Sequence, residues 1–347
     1  MAKSLPIVYT DQHQLHDTSE VLLMGHPLDY AEVPARAETI LSAVQAARLG
    51  PLTTPADHGL APILAVHDED FVDFLRTAYA RSVIHLRQTG PLFPLTYATR
   101  HGGRKPQGFL ALRGYYAFGI YSPIMEGTWE AAYWSAQCAL TAADRVRADG
   151  GAAYALCRPP GHHAAADLYD GFCYLNNAAI AARYLQAGAE TKVAILDVDY
   201  HHGNGTQMIF YSDPSVLFCS LHAHPDEEYP YYWGDADECG EGAGVGANRN
   251  WPMPRGTGES TYLAALDEAL AVIRSFAPRY LVVSLGLDTA AGDPVGGFIV
   301  TVAGMAEIGQ RVAGLNLPTL VVQEGGYLLG RLGEYAVAFL RPFAGPR

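Results

Sequence analysis

Six short apolar runs rich in β-branched residues punctuate the chain, at 7–9, 152–157, 193–198, 216–221, 280–285 and 319–323. Segments of helical periodicity lie between several of them, at 128–146, 177–186, 260–276 and 303–315. Apolar residues recurring at three and four build one face of a helix, whereas a short unbroken apolar run suits a strand buried on both sides. Strands alternating with helices in this way restrict the chain to an α/β fold with a mostly parallel sheet covered on both faces. The 347 residues are 49% hydrophobic, enough for a large core, and α/β folds of this length often form one domain. No internal repeat, Ser/Gly linker or low-complexity tract divides the chain, so a single domain over 1–347 is expected.

Five of the six runs end in reactive residues. Run 152–157 leads into RPPGHH, 193–198 into DVDYHH, 216–221 into SLHAH, 280–285 into SLGLD and 319–323 into QEGGY. Ligands of open parallel sheets bind beyond the carboxyl ends of the strands, so five such clusters point to one site. Asp199 and His201 are two apart and share one side of an extended segment. Asp288, at another strand end, can supply a third ligand. Two carboxylates and one imidazole leave a coordination position open, which suits a catalytic zinc rather than a closed structural one.

His162 and His163 follow a Pro-Pro-Gly turn that would hold both imidazoles against such a metal. Amide hydrolysis needs proton transfer to the leaving amine as well as a Lewis acid, and an imidazole pair provides it. Asp197 is the natural carboxylate to fix one imidazole, and it is equally suited to a structural cation. Asn204 is a neutral partner for the other. Tyr327 follows two glycines; its phenol suits an oxyanion, although a tyrosine there is commonly a packed turn residue. Phe172 and Tyr229 adjoin these motifs as flanks of a slot for an alkyl chain, or as ordinary core aromatics.

Composition narrows the partners. A formal charge of −13 argues against nucleic acid and anionic membranes. The opening MAKSLPIVYTDQHQL lacks an apolar signal core, and no apolar run approaches the ~18 residues of a membrane span. The five cysteines (Cys138, Cys157, Cys173, Cys219 and Cys239) are odd in number, widely spaced and free of C-x-x-C. That pattern disfavours a disulfide framework and a zinc knuckle, so a soluble cytoplasmic protein is expected. One stretch stands apart: 81–125 has no Asp or Glu but carries Arg81, Arg87, Arg100, Arg104, Lys105 and Arg113. Rich in Gly, Pro and aromatics, it reads as a long inserted loop at about 82–125. Its apolar surface suits a homodimer interface that roofs the site, with the basic residues facing acidic surface on the partner; the alternative is a disordered surface loop.

Taken together, RPPGHHA, GFCYLNNAA, ILDVDYHHGNGTQ, SLH, LGLDTAAGDP and EGGY resemble the histone deacetylase superfamily, in order and spacing, from about Pro6 to the C-terminus. Within it, GTWEAA, SLGLDT, HHGNG and the insertion look most like the bacterial acetylpolyamine amidohydrolases. The resemblance implies an arginase/deacetylase-like open sandwich with one zinc per subunit held by Asp199, His201 and Asp288. It implies His162 and His163 as general acid/base residues and Tyr327 as the oxyanion donor. Structural K+ or Na+ would sit near Asp197, Asp199, His201, Ser220 and Leu221, and near Phe210, Asp213 and Val216. Gly171, Phe172, Tyr229 and Val295 match the tunnel.

The function implied is removal of acetyl groups from small acylated amines by metal-activated water, with acetyl-lysine peptides as the alternative substrate. Two departures bear on the substrate. Relatives that bind polycations place acids at the tunnel mouth, some on the insertion, whereas here only Glu20, Asp29 and Glu32 offer rim acids. Val295 is neutral where some relatives carry Glu. A ureohydrolase with two manganese ions needs a further bridging acid where Gly286 and Leu287 stand. A non-catalytic binder of acylated amines should have lost Tyr327, a metal ligand or the doublet, and this chain has all of them.

Overall fold

A computed structural model of the chain describes residues 4–19, 22–23, 26–27, 30–87, 89–99, 104–186 and 191–345. Among these residues the strands are β1 (Ile7–Val8), β2 (Leu22–Leu23), β3 (His26–Pro27), β4 (Leu52–Thr53) and β5 (Ala152–Ala155), then β6 (Val193–Asp197), β7 (Val216–Ala223), β8 (Asn248–Met253), β9 (Tyr280–Leu285) and β10 (Thr319–Gln323). The helices are α1 (Ala35–Ala46), α2 (Ala61–Leu64), α3 (Glu69–Leu86), α4 (Phe109–Tyr115) and α5 (Thr128–Asp149), then α6 (Asn177–Leu185), α7 (Asn204–Phe210), α8 (Glu259–Phe276), α9 (Val302–Ala313) and α10 (Leu332–Leu340). Eight strands form one sheet in the order β4-β1-β5-β10-β9-β6-β7-β8, and every pairing in it is parallel. The separate β2–β3 pair is antiparallel.

Burial on both faces explains the unbroken apolar runs. Ala153, Val193, Ile195, Leu320 and Val322 join one core with α3, α5 and α6. Their alternates Tyr154, Ala194, Leu196 and Val321 join a second core with α1, α8, α9 and α10. This is the expected open sandwich. Local signals set several helix ends: the Asn176 side chain accepts from the Ala179 N–H at 2.9 Å to start α6, and Thr301 accepts from the Gly304 N–H at 3.2 Å to start α9.

The stretch read as a loop is more ordered than its composition suggests. Helix α3 runs into it as far as Leu86, and α4 lies within it. Leu92 and Ile124 exchange backbone hydrogen bonds at 2.8 and 3.0 Å, closing the insertion near its base. Leu92, Phe109, Leu112 and Tyr116 are buried in the same core as Phe71 and Phe74. The basic residues are also used differently. Arg113 is buried, Lys105 pairs with Asp70 of its own chain, and the Arg81 guanidinium lies 4.7 Å from the centre of the Phe109 ring. These three serve the chain's own packing rather than a partner's acids.

Candidate active site

Strands β5, β10, β9, β6 and β7 are consecutive in the sheet and deliver their polar termini to one edge. Backbone N–H groups fix the acids there. Asp199 accepts from the N–H of His201 and of Gly325, each at 2.9 Å, Asp288 from that of Tyr200 at 2.9 Å, and Asp197 from that of Asp199 at 3.1 Å. His201 Nδ1 lies 3.0 Å from Asp288 Oδ2 and 3.3 Å from Asp199 Oδ1. One ligand atom from each of the three falls within 4.8 Å of the others, and all three residues are buried.

The electrostatics of this trio favour a cation. Burial, with the Asp199 charge beside it, pushes Asp288 up to about 7. Burial also works against charge on Asp199, but the His162 and His201 imidazoles outweigh it and hold that carboxyl far below its usual range. Two acids facing each other across one imidazole, away from water, are the setting a divalent ion relieves. The donor set fits zinc with a position left open. Among the described residues no second cluster of three such ligands forms, so a dinuclear site lacks its other half.

The two imidazoles of the doublet pack with ring centres 4.0 Å apart. His162 Nδ1 is 3.0 Å from Asp197 Oδ2, and His163 Nδ1 is 2.7 Å from Asn204 Oδ1. Each Nδ1 is thus engaged from behind, one by a carboxylate and one by a neutral amide. Burial opposes charge on both rings. For His162 the Asp199 and Asp197 carboxylates overcome it and raise the imidazole to about 10. For His163 burial, reinforced by the charges of His162 and His201, keeps the ring well below its usual value. The Asp199 share of the His162 rise is what a bound cation would cancel.

Sequence reasoning gave no role to Glu324, which holds the doublet's backbone. Its Oε2 accepts from the N–H groups of Gly161 at 2.6 Å and His162 at 3.1 Å. Nor did it foresee Asp293, whose Oδ2 accepts from the N–H groups of Tyr327 at 2.7 Å and Leu328 at 2.9 Å. The signal was present in each case: an acid closing an apolar strand, and an Asp within a Gly-Pro turn. Tyr327 is buried, its ring centre 4.5 Å from the Arg36 guanidinium and 5.6 Å from that of Phe172.

A cleft of about 740 Å³, its solvent mouth included, opens onto these groups. His162, His163, His201, Gly171, Phe172, Tyr229, Val295 and Tyr327 all line it, as does Tyr121 of the insertion expected to roof the site, with Pro160, Glu228 and Tyr231 as additions the sequence did not suggest. Gly171 and Phe172 both have positive φ, 60° and 68°. A side chain at Gly171 would overlap the His163 ring, and a bulky residue such as Phe172 adopts this conformation only where its surroundings enforce it.

One of the three expected rim acids needs correction. Glu32 is 1% exposed and pairs with Arg36 at 2.8 Å and Arg158 at 2.9 Å, so it is an internal counter-charge. Glu20 and Asp29 lie outside the described residues. Among the described residues, the carboxylate found in the cleft wall is that of Glu228, which also pairs with Arg255. Of the residues assigned to monovalent cations, Asp197 and Ser220 are direct partners across β6 and β7, with Leu221 next in line and Asp199 and His201 just beyond β6. Phe210, Asp213 and Val216 meet in the turn between α7 and β7, where the Phe210 carbonyl accepts from the Asp213 N–H at 2.9 Å.

Known proteins resemble this chain over nearly its whole length. The histone deacetylase domain profile matches residues 30–342. Acetylpolyamine amidohydrolase 1 of Pseudomonas aeruginosa is 46% identical over 97% of this chain and 98% of its own. The acetylpolyamine amidohydrolase of Mycoplana ramosa is 40% identical over 98% and 99% of the two chains. A crystal structure of the acetylpolyamine aminohydrolase from Burkholderia pseudomallei superposes with a TM-score of 0.92 at 41% identity, covering 98% of each chain.

Proposed function

The chain belongs to the histone deacetylase family, whose members are zinc-dependent hydrolytic deacetylases, and from that premise we propose that it removes acetyl groups from small acylated amines. Asp199, His201 and Asp288 would hold one zinc per chain. Bound there, the metal supplies Lewis acidity toward the amide carbonyl and the attacking water.

The rest falls to the chain's own side chains. His162, backed by Asp197, and His163, backed by Asn204, take a proton from water and hand one to the leaving nitrogen. The Tyr327 phenol donates to the oxygen on which negative charge develops. Potassium or sodium ions at the two sites named above would stiffen the strand ends behind these groups.

The observation that carries the substrate reading is the shape of the cleft. The rings of Phe172, Tyr229 and Tyr121 border a slot that also reaches the doublet and His201 of the trio. Tyr121 lies 6.3 Å from Phe172 and 5.9 Å from Tyr229, ring centre to ring centre, so the insertion reaches the entrance. A thin alkyl chain fits such a slot better than a polypeptide does, and Glu228 gives its wall a carboxylate for a distal ammonium. Turnover of acetylputrescine, acetylcadaverine, acetylspermidine and an acetyl-lysine peptide tests this. The small acetylated amines should be preferred; a preference for the peptide would overturn the reading.

Tyr327→Phe removes one donor while keeping the packed ring. Turnover should fall ~10²–10³-fold, or about 3–4 kcal/mol, with fold and zinc content unchanged. A turnover within about threefold of the parent would take the phenol out of the transition state.

The assembly we propose is a homodimer joined through the insertion. Ile84, Leu95 and Leu110 are 72%, 76% and 52% exposed on the single chain, an apolar surface that a symmetric copy would cover. Removing the whole insertion would open the core at Leu92 and Phe109, so surface changes are the cleaner probe. Leu95→Glu with Leu110→Glu should convert a dimer into a folded monomer by sedimentation, and a parent already monomeric would refute the interface. The compartment we propose is the cytoplasm, where the five free thiols of the chain would stay reduced.

A further inference from the structure

The mechanism leaves one buried carboxylate beside the tunnel without a task. Asp170 is 0% exposed, and two chain segments distant from it in sequence converge on it. Its Oδ1 accepts from the Tyr121 N–H at 2.7 Å, on the insertion. Its Oδ2 accepts from the Tyr229 hydroxyl at 3.1 Å, on the loop after β7. The residue itself immediately precedes the Gly171–Phe172 wall. Gly119 packs so closely that a side chain there would overlap the Asp170 carboxylate, which encloses Oδ2 between the insertion and Tyr229.

Tyr229 is the element most affected. Its ring stands edge-on to His163 with centres 4.9 Å apart, and it stacks on Phe118 of the insertion at 6.0 Å. A phenol whose hydroxyl is fixed at its far end cannot swing about its χ angles. A backbone whose N–H is fixed by the same carboxylate cannot lift away from it. Burial pushes Asp170 up to about 7, so this carboxyl is kept at an energetic cost that its donors must offset.

We propose that Asp170 is a positioning residue for selectivity: by holding Tyr229 and the insertion together, it sets the width of the tunnel entrance and so restricts it to slender acylated amines. This rests on the function proposed above. The closing experiment separates the two.

Asp170→Ala removes both anchors. Tyr229→Phe removes the phenol link and keeps the ring. Asp170→Asn retains a bond on each side, because its amide oxygen can accept from Tyr121 while its NH2 donates to the Tyr229 oxygen. In the zinc-loaded protein, the ratio of kcat/KM for an acetyl-lysine peptide to that for acetylputrescine should rise at least about tenfold in Asp170→Ala, mainly through a higher KM for the amine. Tyr229→Phe should shift the ratio in the same direction and add less than about twofold in the Asp170→Ala background, since both changes break one link. Asp170→Asn should stay within about threefold of the parent.

Binding of a slim alkyl hydroxamate against one with a bulky cap, followed by calorimetry, reads the same width without turnover. The parent should favour the slim compound, and Asp170→Ala should lose that preference. If the parent hydrolyses no acetylated amine, the functional reading fails while the hydroxamate ratio still decides the role of Asp170. An Asp170→Ala protein that melts lower but keeps the parent's ratios in both assays would make the residue merely structural and overturn the proposal. If that variant does not fold, Tyr229→Phe decides alone: an unchanged hydroxamate preference overturns the proposal, and a lost one upholds it.

Discussion

Asp288→Ala should give a folded protein that no longer retains zinc through dialysis and hydrolyses acetylated amines only at background rate. The trio offers three ligand atoms within 4.8 Å of one another and no fourth carboxylate or imidazole among the described residues joins it, so one deletion leaves two donors. Changes to groups that merely support metal ligands typically cost 10–100-fold, and loss of a direct anionic ligand should cost more than ~10²-fold in turnover. Asp288→Asn is the informative companion. It can keep the bond from the Tyr200 N–H while lacking the charge that faces Asp199. Both variants should fail alike in metal analysis and in activity. Full zinc retention with parental turnover in either one would remove Asp288 from the site.

The second large effect belongs to the doublet. His162→Ala and His163→Ala should each lower turnover ~10²–10⁴-fold with much smaller changes in substrate affinity. The double variant should cost far less than the product of the two, because rings 4.0 Å apart that serve one proton path cannot be lost twice. Their supports predict a difference in kind. Asp197→Asn weakens the charge behind His162, whereas Asn204→Ala leaves His163 without its bond partner. Strictly multiplicative losses in the doublet would mean that the two rings act in separate steps.

Much of the site could be read before the fold was known, because its chemistry sits at the ends of strands that announce themselves. Asp199, His201 and Asp288 follow β-branched runs directly, and His162 and His163 follow another, so placing the strands places the residues. Links that depend on how loops meet were hidden. Asp170, Tyr121 and Tyr229 belong to three separate segments, and no spacing in the sequence links them. Glu32 was misjudged for the same reason: its partner Arg36 is one helical turn away, but Arg158 comes from the far end of the motif that carries the doublet. Edge strand β8 escaped because Asn248, Asn250 and Pro252 break its apolar pattern. The insertion looked like a loop because Leu92 and Phe109 pack from turns and a helix start, positions that leave no period to detect.

The central claim is that one zinc, held by Asp199, His201 and Asp288, makes this chain a deacetylase of small amines. Titrating metal-free protein with zinc while measuring acetate release from acetylputrescine tests it most directly. Acetate release should be absent at the start, rise in proportion to added zinc, and level off at one equivalent per chain. Release that needs no metal, that continues to rise to two equivalents, or that stays at zero with the site filled would contradict the account.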